Sequence, residues 1–153
     1  MVFTEQDVKQ LLQEAFQQVQ SMPDIGKTTQ KINLNRSLSW VKALAEQFSK
    51  RYEGDEDIRI FAKSDFLNRK DFGLNELLHD ILVCRVGEVI SPVHKKNLCF
   101  IKEVIWQVES EFAHNTRSKL IDFNKLVLGS GKNKLFVASQ VKKGTENAFL
   151  KVL

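Results

Sequence analysis

Proline is almost missing from this chain, with Pro23 and Pro92 the only two in 153 residues. That scarcity argues against long extended linkers. Cysteine is as rare. Cys84 and Cys99 lie in apolar, strand-like stretches, and neither has a Cys or His nearby at metal-finger spacing. One disulfide between them is open to the chain, but the apolar setting favours two buried thiols, which points to the cytoplasm. The three histidines, His79, His94 and His114, are too dispersed for a His-rich zinc site. No apolar run reaches the length of a membrane span, so no membrane partner is expected. Residues Met1 to Gln10 are polar and acidic, unlike a secretory signal.

What is present is the composition of one ordinary domain, residues 1–153. The apolar fraction is 42% and the charged fraction 27%, enough to bury a core without staples. The net charge is +4, and it is unevenly spread. Residues 1–80 carry 11 Lys/Arg against 13 Asp/Glu, and residues 81–153 carry 12 against 6. The basic C-terminal half suits contact with a polyanion; a merely solvated surface is the plainer alternative.

Residues 1–52 read as a helical N-terminal part. Val8, Leu11, Leu12, Ala15, Phe16 and Val19 recur at helical spacing. Thr4 caps the start, Asp7 sits three residues on, and Phe3 with Val8 holds the positions of a hydrophobic staple. Pro23 and Gly26 mark the end, residues 24–36 read as a polar loop, and a second helix is expected from Ser37 to Tyr52. The acidic run from Glu53 to Asp57 reads as a solvated loop, and Ile58 to Ala62 as a short strand.

Residues 77–141 read as a core hairpin and crossover. Leu77 to Val86 and Leu98 to Phe112 are dense in strand formers, and a connection of about ten residues makes them an antiparallel pair. Alternation puts Val104, Trp106, Val108, Ser110 and Phe112 on one face, and Ile105, Gln107, Glu109 and Glu111 on the other. A helix from Thr116 to Leu128 follows, with Asn115 as its cap and Gly129 at its end. Lys134 to Val141 is then a strand parallel to the second hairpin strand. Thr145 to Leu153 reads as the start of a helix stopping on apolar residues, which suits one part of a longer chain.

This register brings Asp80 beside Glu109, with Glu111 on the same side of the sheet. Three carboxylates among apolar strand residues lose hydration and repel one another. A hard divalent cation relieves both penalties.

The pattern resembles the PD-(D/E)XK nuclease superfamily, which includes many restriction endonucleases. The resemblance covers Leu77 to Val141. Asp80 matches the family's Asp, Glu109 the acid of its acid-x-Lys, and Glu111 stands where the Lys usually stands. What the resemblance implies is a restriction endonuclease-like mixed sheet flanked by helices, and Mg²⁺-dependent (or Mn²⁺-dependent) hydrolysis of phosphodiesters, with double-stranded DNA as the expected partner. Asp80, Glu109 and the Ser110 carbonyl would hold the ion, and Glu111 would orient or deprotonate the attacking water or help hold a second ion. Glu46 best matches the extra Glu that a preceding helix often supplies, Glu14 is the second choice, and Glu76 is a further candidate. Arg117 and Lys119, at the start of the following helix, are placed to contact phosphate, as are Lys95 and Lys96 at the hairpin tip. A homodimer is compatible with the resemblance. The alternative is a degenerate nucleic-acid-binding or regulatory module of the same fold.

Other signals carry less. Gly129-Ser130-Gly131-Lys132 lacks the remaining residues of a phosphate loop and follows a helix rather than preceding one, so it reads as a turn. His79 is expected on the strand face opposite Asp80, as a satisfied histidine, and His114 near Glu111 is a minor candidate for proton transfer. Trp40 and Trp106 read as core, and no Ser-His-Asp motif is present.

Overall fold

Thr4 starts the first helix by the reciprocal bonding its sequence implies. Its hydroxyl accepts from the Asp7 N–H, and the Asp7 carboxylate accepts from the Thr4 N–H at 2.8 Å. The structure is a computed structural model that describes residues 3–63, 67–93, 95–112 and 115–139. In chain order the elements are α1 (Glu5–Gln20), α2 (Thr29–Arg51), β1 (Ile58–Ala62), α3 (Leu67–Phe72), β2 (Ile81–Ile90), β3 (Asn97–Glu111), α4 (Thr116–Leu128) and β4 (Asn133–Ala138). The strands form one mixed sheet in the order β1-β2-β3-β4, antiparallel except for the β3–β4 pair, which is parallel. The chain is therefore an α/β protein with a four-stranded mixed sheet flanked by helices.

One face carries the main core. Leu11 and Ala15 of α1 and Trp40, Val41, Leu44 and Phe48 of α2 pack on Ile58, Ile60, Ile81, Val83, Trp106 and Val108 of the sheet. Side chains of this size contribute about 1.5–3 kcal/mol each when fully buried. On the other face Phe61, Leu82 and Cys84 pack with Phe72 of α3, and Phe123 of α4 meets Phe136 of β4 edge-on with ring centres 5.8 Å apart. Cys84 is buried, Cys99 is half-buried, and both are free thiols. Among the described residues no helix is long and apolar enough to cross a membrane.

Two element starts and the alternation of one strand differ from expectation. Helix α2 begins at Thr29, capped by the Thr28 hydroxyl on the Lys31 N–H, not at Ser37. Its first turns are largely exposed, so they carry no apolar stripe to betray them. Strand β2 begins at Ile81, not Leu77. Leu78 has a positive φ of 57°, and the His79 N–H bonds back to the Leu77 carbonyl, so the chain turns before it pairs. Alternation along β3 breaks at a register shift, where Val83 faces Trp106 but Cys84 faces Val104. Ile105 thus packs toward the main core and Val104 toward the opposite cluster, reversing their expected faces. The last strand runs Asn133–Ala138 and Ser139 is outside it, whereas residues 140 and 141 of the expected strand and the expected helix from Thr145 lie outside the described residues.

Candidate functional site

The end of the hairpin away from its tip gathers the polar groups. Ile81 pairs with Val108, which sets Asp80 against the strand end carrying Glu109 and Ser110. The Asp80 Oδ2 accepts from the Ser110 N–H at 2.8 Å. The Ser110 hydroxyl in turn accepts from the Trp40 indole at 3.0 Å, tying this strand end to α2.

Glu109 is 1% exposed. Its Oε1 lies 2.9 Å from His79 Nδ1, and its Oε2 lies 3.4 Å from the Lys125 ammonium of α4. Lys125 also holds Asp122, one helical turn back, at 2.6 Å. His79, 4% exposed, has its Nε2 2.7 Å from the Gln107 side-chain amide, whose Oε1 accepts from the Gly131 N–H at 2.8 Å. A continuous polar chain therefore runs from the turn after α4 to the acid pair.

The electrostatics follow from this packing. Burial pushes the Glu109 carboxyl up to about 8, and the neighbouring Asp80 adds to it against the opposing pull of Lys125. Asp80 is also raised, first by burial and further by Asp122 and Glu76, while its bond from Ser110 and the charge of Lys125 pull it down. Burial lowers His79, with Lys125 and Lys134 adding to the effect. Burial alone would lower Lys125, but its bonds to Asp122 and Glu109 leave it raised.

Of the expected metal-site residues, Asp80, Glu109 and Ser110 meet. Glu111 does not complete a cage with them: among the described residues no set of three His, Cys, Asp or Glu side chains is placed to hold an ion. Glu111 instead lines a cavity of about 720 Å³ with Phe16, Trp40, Phe112 and Val137. Glu46 lies on the α2 side of the sheet, where its Oε2 accepts from Gln18 of α1 at 2.5 Å, and Glu14 bonds Gln10 on the surface. Glu76 is exposed but close enough to raise Asp80. The donor set still suits Mg²⁺. That ion takes one or two carboxylates and fills its remaining positions with water and phosphate oxygens, and here burial and the neighbouring Asp80 raise the proton affinity of Glu109 in a partly dry setting.

The phosphate contacts need correction. Lys119 is 1% exposed and donates to the Ser139 carbonyl at 3.1 Å, so its ammonium is spent inside the fold. Lys95 and Lys96 are exposed at the far turn. With β2 ten residues long, that turn is about 30 Å from Asp80, too far for a shared phosphate. Arg117 is exposed in the first turn of α4. His114 lies outside the described residues.

Sequence reasoning missed Lys125 and Asp122, and it placed His79 on the wrong face. The alternation of Gln107 with Glu109 was the available signal for Gln107. No local pattern marked Lys125, because its role depends on how α4 lies over β3. No family model, curated protein or solved structure matches the chain.

Proposed function

We propose that this fold is restriction endonuclease-like and that the protein is a Mg²⁺- or Mn²⁺-dependent nuclease acting on phosphodiester bonds in DNA. The observation that carries this reading is the meeting of Asp80 and Glu109 at the hairpin end with the Lys125 ammonium against them. Lys125 supplies from α4 the positive charge that the resemblance expects at position 111. Asp80, Glu109 and the Ser110 carbonyl would hold the ion. When bound, a divalent cation of this kind activates water and stabilises the charge that develops on phosphate. Asp80 is oriented by the Ser110 N–H, and Glu109 by His79. Lys125 offers N–H donors to a phosphate oxygen at the pair, and Arg117 extends positive charge along the first turn of α4. Free thiols at Cys84 and Cys99 suit action in the cytoplasm.

Plasmid DNA incubated with the protein and Mg²⁺ or Mn²⁺ tests the proposal. Nicking or cleavage is expected, with a loss of about 100-fold or more in Asp80→Ala and Glu109→Ala, as for removal of a principal catalytic group. Lys125→Ala is expected to lose more activity than Glu111→Ala. Cleavage that survives Asp80→Ala would overturn the assignment.

A second reading, a binding module of the same fold without chemistry, is favoured by one observation. Both oxygens of Glu109 already have partners inside the protein. It predicts salt-sensitive DNA binding with no cleavage in either metal.

A further inference from the structure

We propose that His79 is a positioning residue for Glu109, held in its Nδ1–H tautomer by Gln107, which the Gly129–Gly131 turn clamps in place. The inference rests on the nuclease reading for what Glu109 is positioned to do.

The proton assignment follows from one fixed donor. A backbone N–H can only donate, so the Gln107 atom 2.8 Å from the Gly131 nitrogen is its oxygen. The other end of that amide is then the NH₂ group, and it donates to His79 Nε2 at 2.7 Å. An imidazolium would aim an N–H at that NH₂, so the ring is neutral and Nε2 is its acceptor. The single ring proton sits on Nδ1 and is given to Glu109 Oε1 at 2.9 Å. With Oε1 engaged, Oε2 is the oxygen presented toward Lys125.

The clamp is steric. A Cβ on Gly129 would overlap the Gln107 amide, and one on Gly131 would lie 2.7 Å from Gln107 Cγ. Gly129 has an ordinary extended backbone, φ −77° and ψ 156°, so close approach and not a left-handed turn explains the glycine. Gln107, His79 and Glu109 are each at least nine-tenths buried, so water does not compete for these bonds.

Two measurements test this. Nitrogen-15 NMR of the histidine-labelled protein at neutral pH, assigned with His79→Gln, is expected to find Nδ1 protonated and Nε2 bare. A ring protonated on Nε2 overturns the proposal whether or not the protein is a nuclease. Mn²⁺ binding, followed by electron paramagnetic resonance without DNA, then compares wild type, Asp80→Asn, His79→Leu and His79→Asn. His79→Leu removes the donor and is expected to weaken Mn²⁺ about tenfold or more. His79→Asn keeps an N–H near the Nδ1 position and is expected to recover most of that loss. Equal affinities in wild type and His79→Leu, or equal losses in both His79 variants, reject the positioning role while leaving the metal site standing. Absence of Mn²⁺ binding in wild type, or binding unaffected by Asp80→Asn, rejects the nuclease reading itself and this role with it.

Discussion

Glu109 has a carboxyl raised to about 8 by burial and by Asp80, well above the ordinary carboxylate range. A raised value in the folded state means that folding favours the protonated acid. Its contribution to stability is therefore complete below about pH 4.5 and is lost as pH rises toward 8. Wild type should lose stability relative to Glu109→Gln across that window, by up to about 1.4 kcal/mol per pH unit. Urea unfolding of both proteins at pH 5 and pH 8 checks it, and a constant difference would count against the raised value. Lys119 teaches the opposite lesson at the same scale. A lysine in the first turn of a helix reads as solvent-facing, yet this one is buried and bonded to a main-chain oxygen.

At the scale of elements, the turn between α4 and β4 matters more than its length suggests. It looks like a fragment of a phosphate loop, but its glycines admit the Gln107 side chain. Gly129→Ala should force Gln107 aside and lower stability by about 1–3 kcal/mol, the usual range for overpacking. Ser130→Ala, at an exposed position of the same turn, should stay within about 0.5 kcal/mol of wild type. Thermal melts of the two variants compare them directly. The capping box of α1 is a simpler device. Thr4→Ala should cost about 1 kcal/mol, read from the shift in urea midpoint.

For the whole molecule, the sheet separates two kinds of burial. The face under α1 and α2 is apolar, while the face under α4 buries Gln107 and Glu109. Buried polar groups among apolar neighbours are tolerated only where every group has a partner, and among the described residues no buried side-chain nitrogen or oxygen lacks one. Charge is distributed along the molecule as well as across it, with Lys95 and Lys96 exposed at the hairpin tip and Arg117 exposed in the first turn of α4, the helix that brings Lys125 to Glu109. On the nuclease reading proposed above, affinity for duplex DNA should fall as salt rises, and Arg117→Ala should lower cleavage more than Lys95→Ala. Fluorescence anisotropy across a salt series, alongside the plasmid assay, measures both.

Local chemistry was enough to place the cap at Thr4, the strand from Ile58 to Ala62, the antiparallel hairpin, the Asn115 cap and the parallel return of the last strand. These depend on spacing, capping groups and connection length, all of which act within a few residues or along one strand. The meeting of Asp80 with Glu109 was legible for the same reason, since hairpin register follows from the turn. Tertiary packing decided the rest. The positive φ at Leu78 brought His79 into the site, the register shift in β3 exchanged the faces of Val104 and Ile105, and the way α4 lies over the sheet delivered Lys125 and buried Lys119. None of these has a local signature, because each depends on which surface another element offers once the sheet has formed.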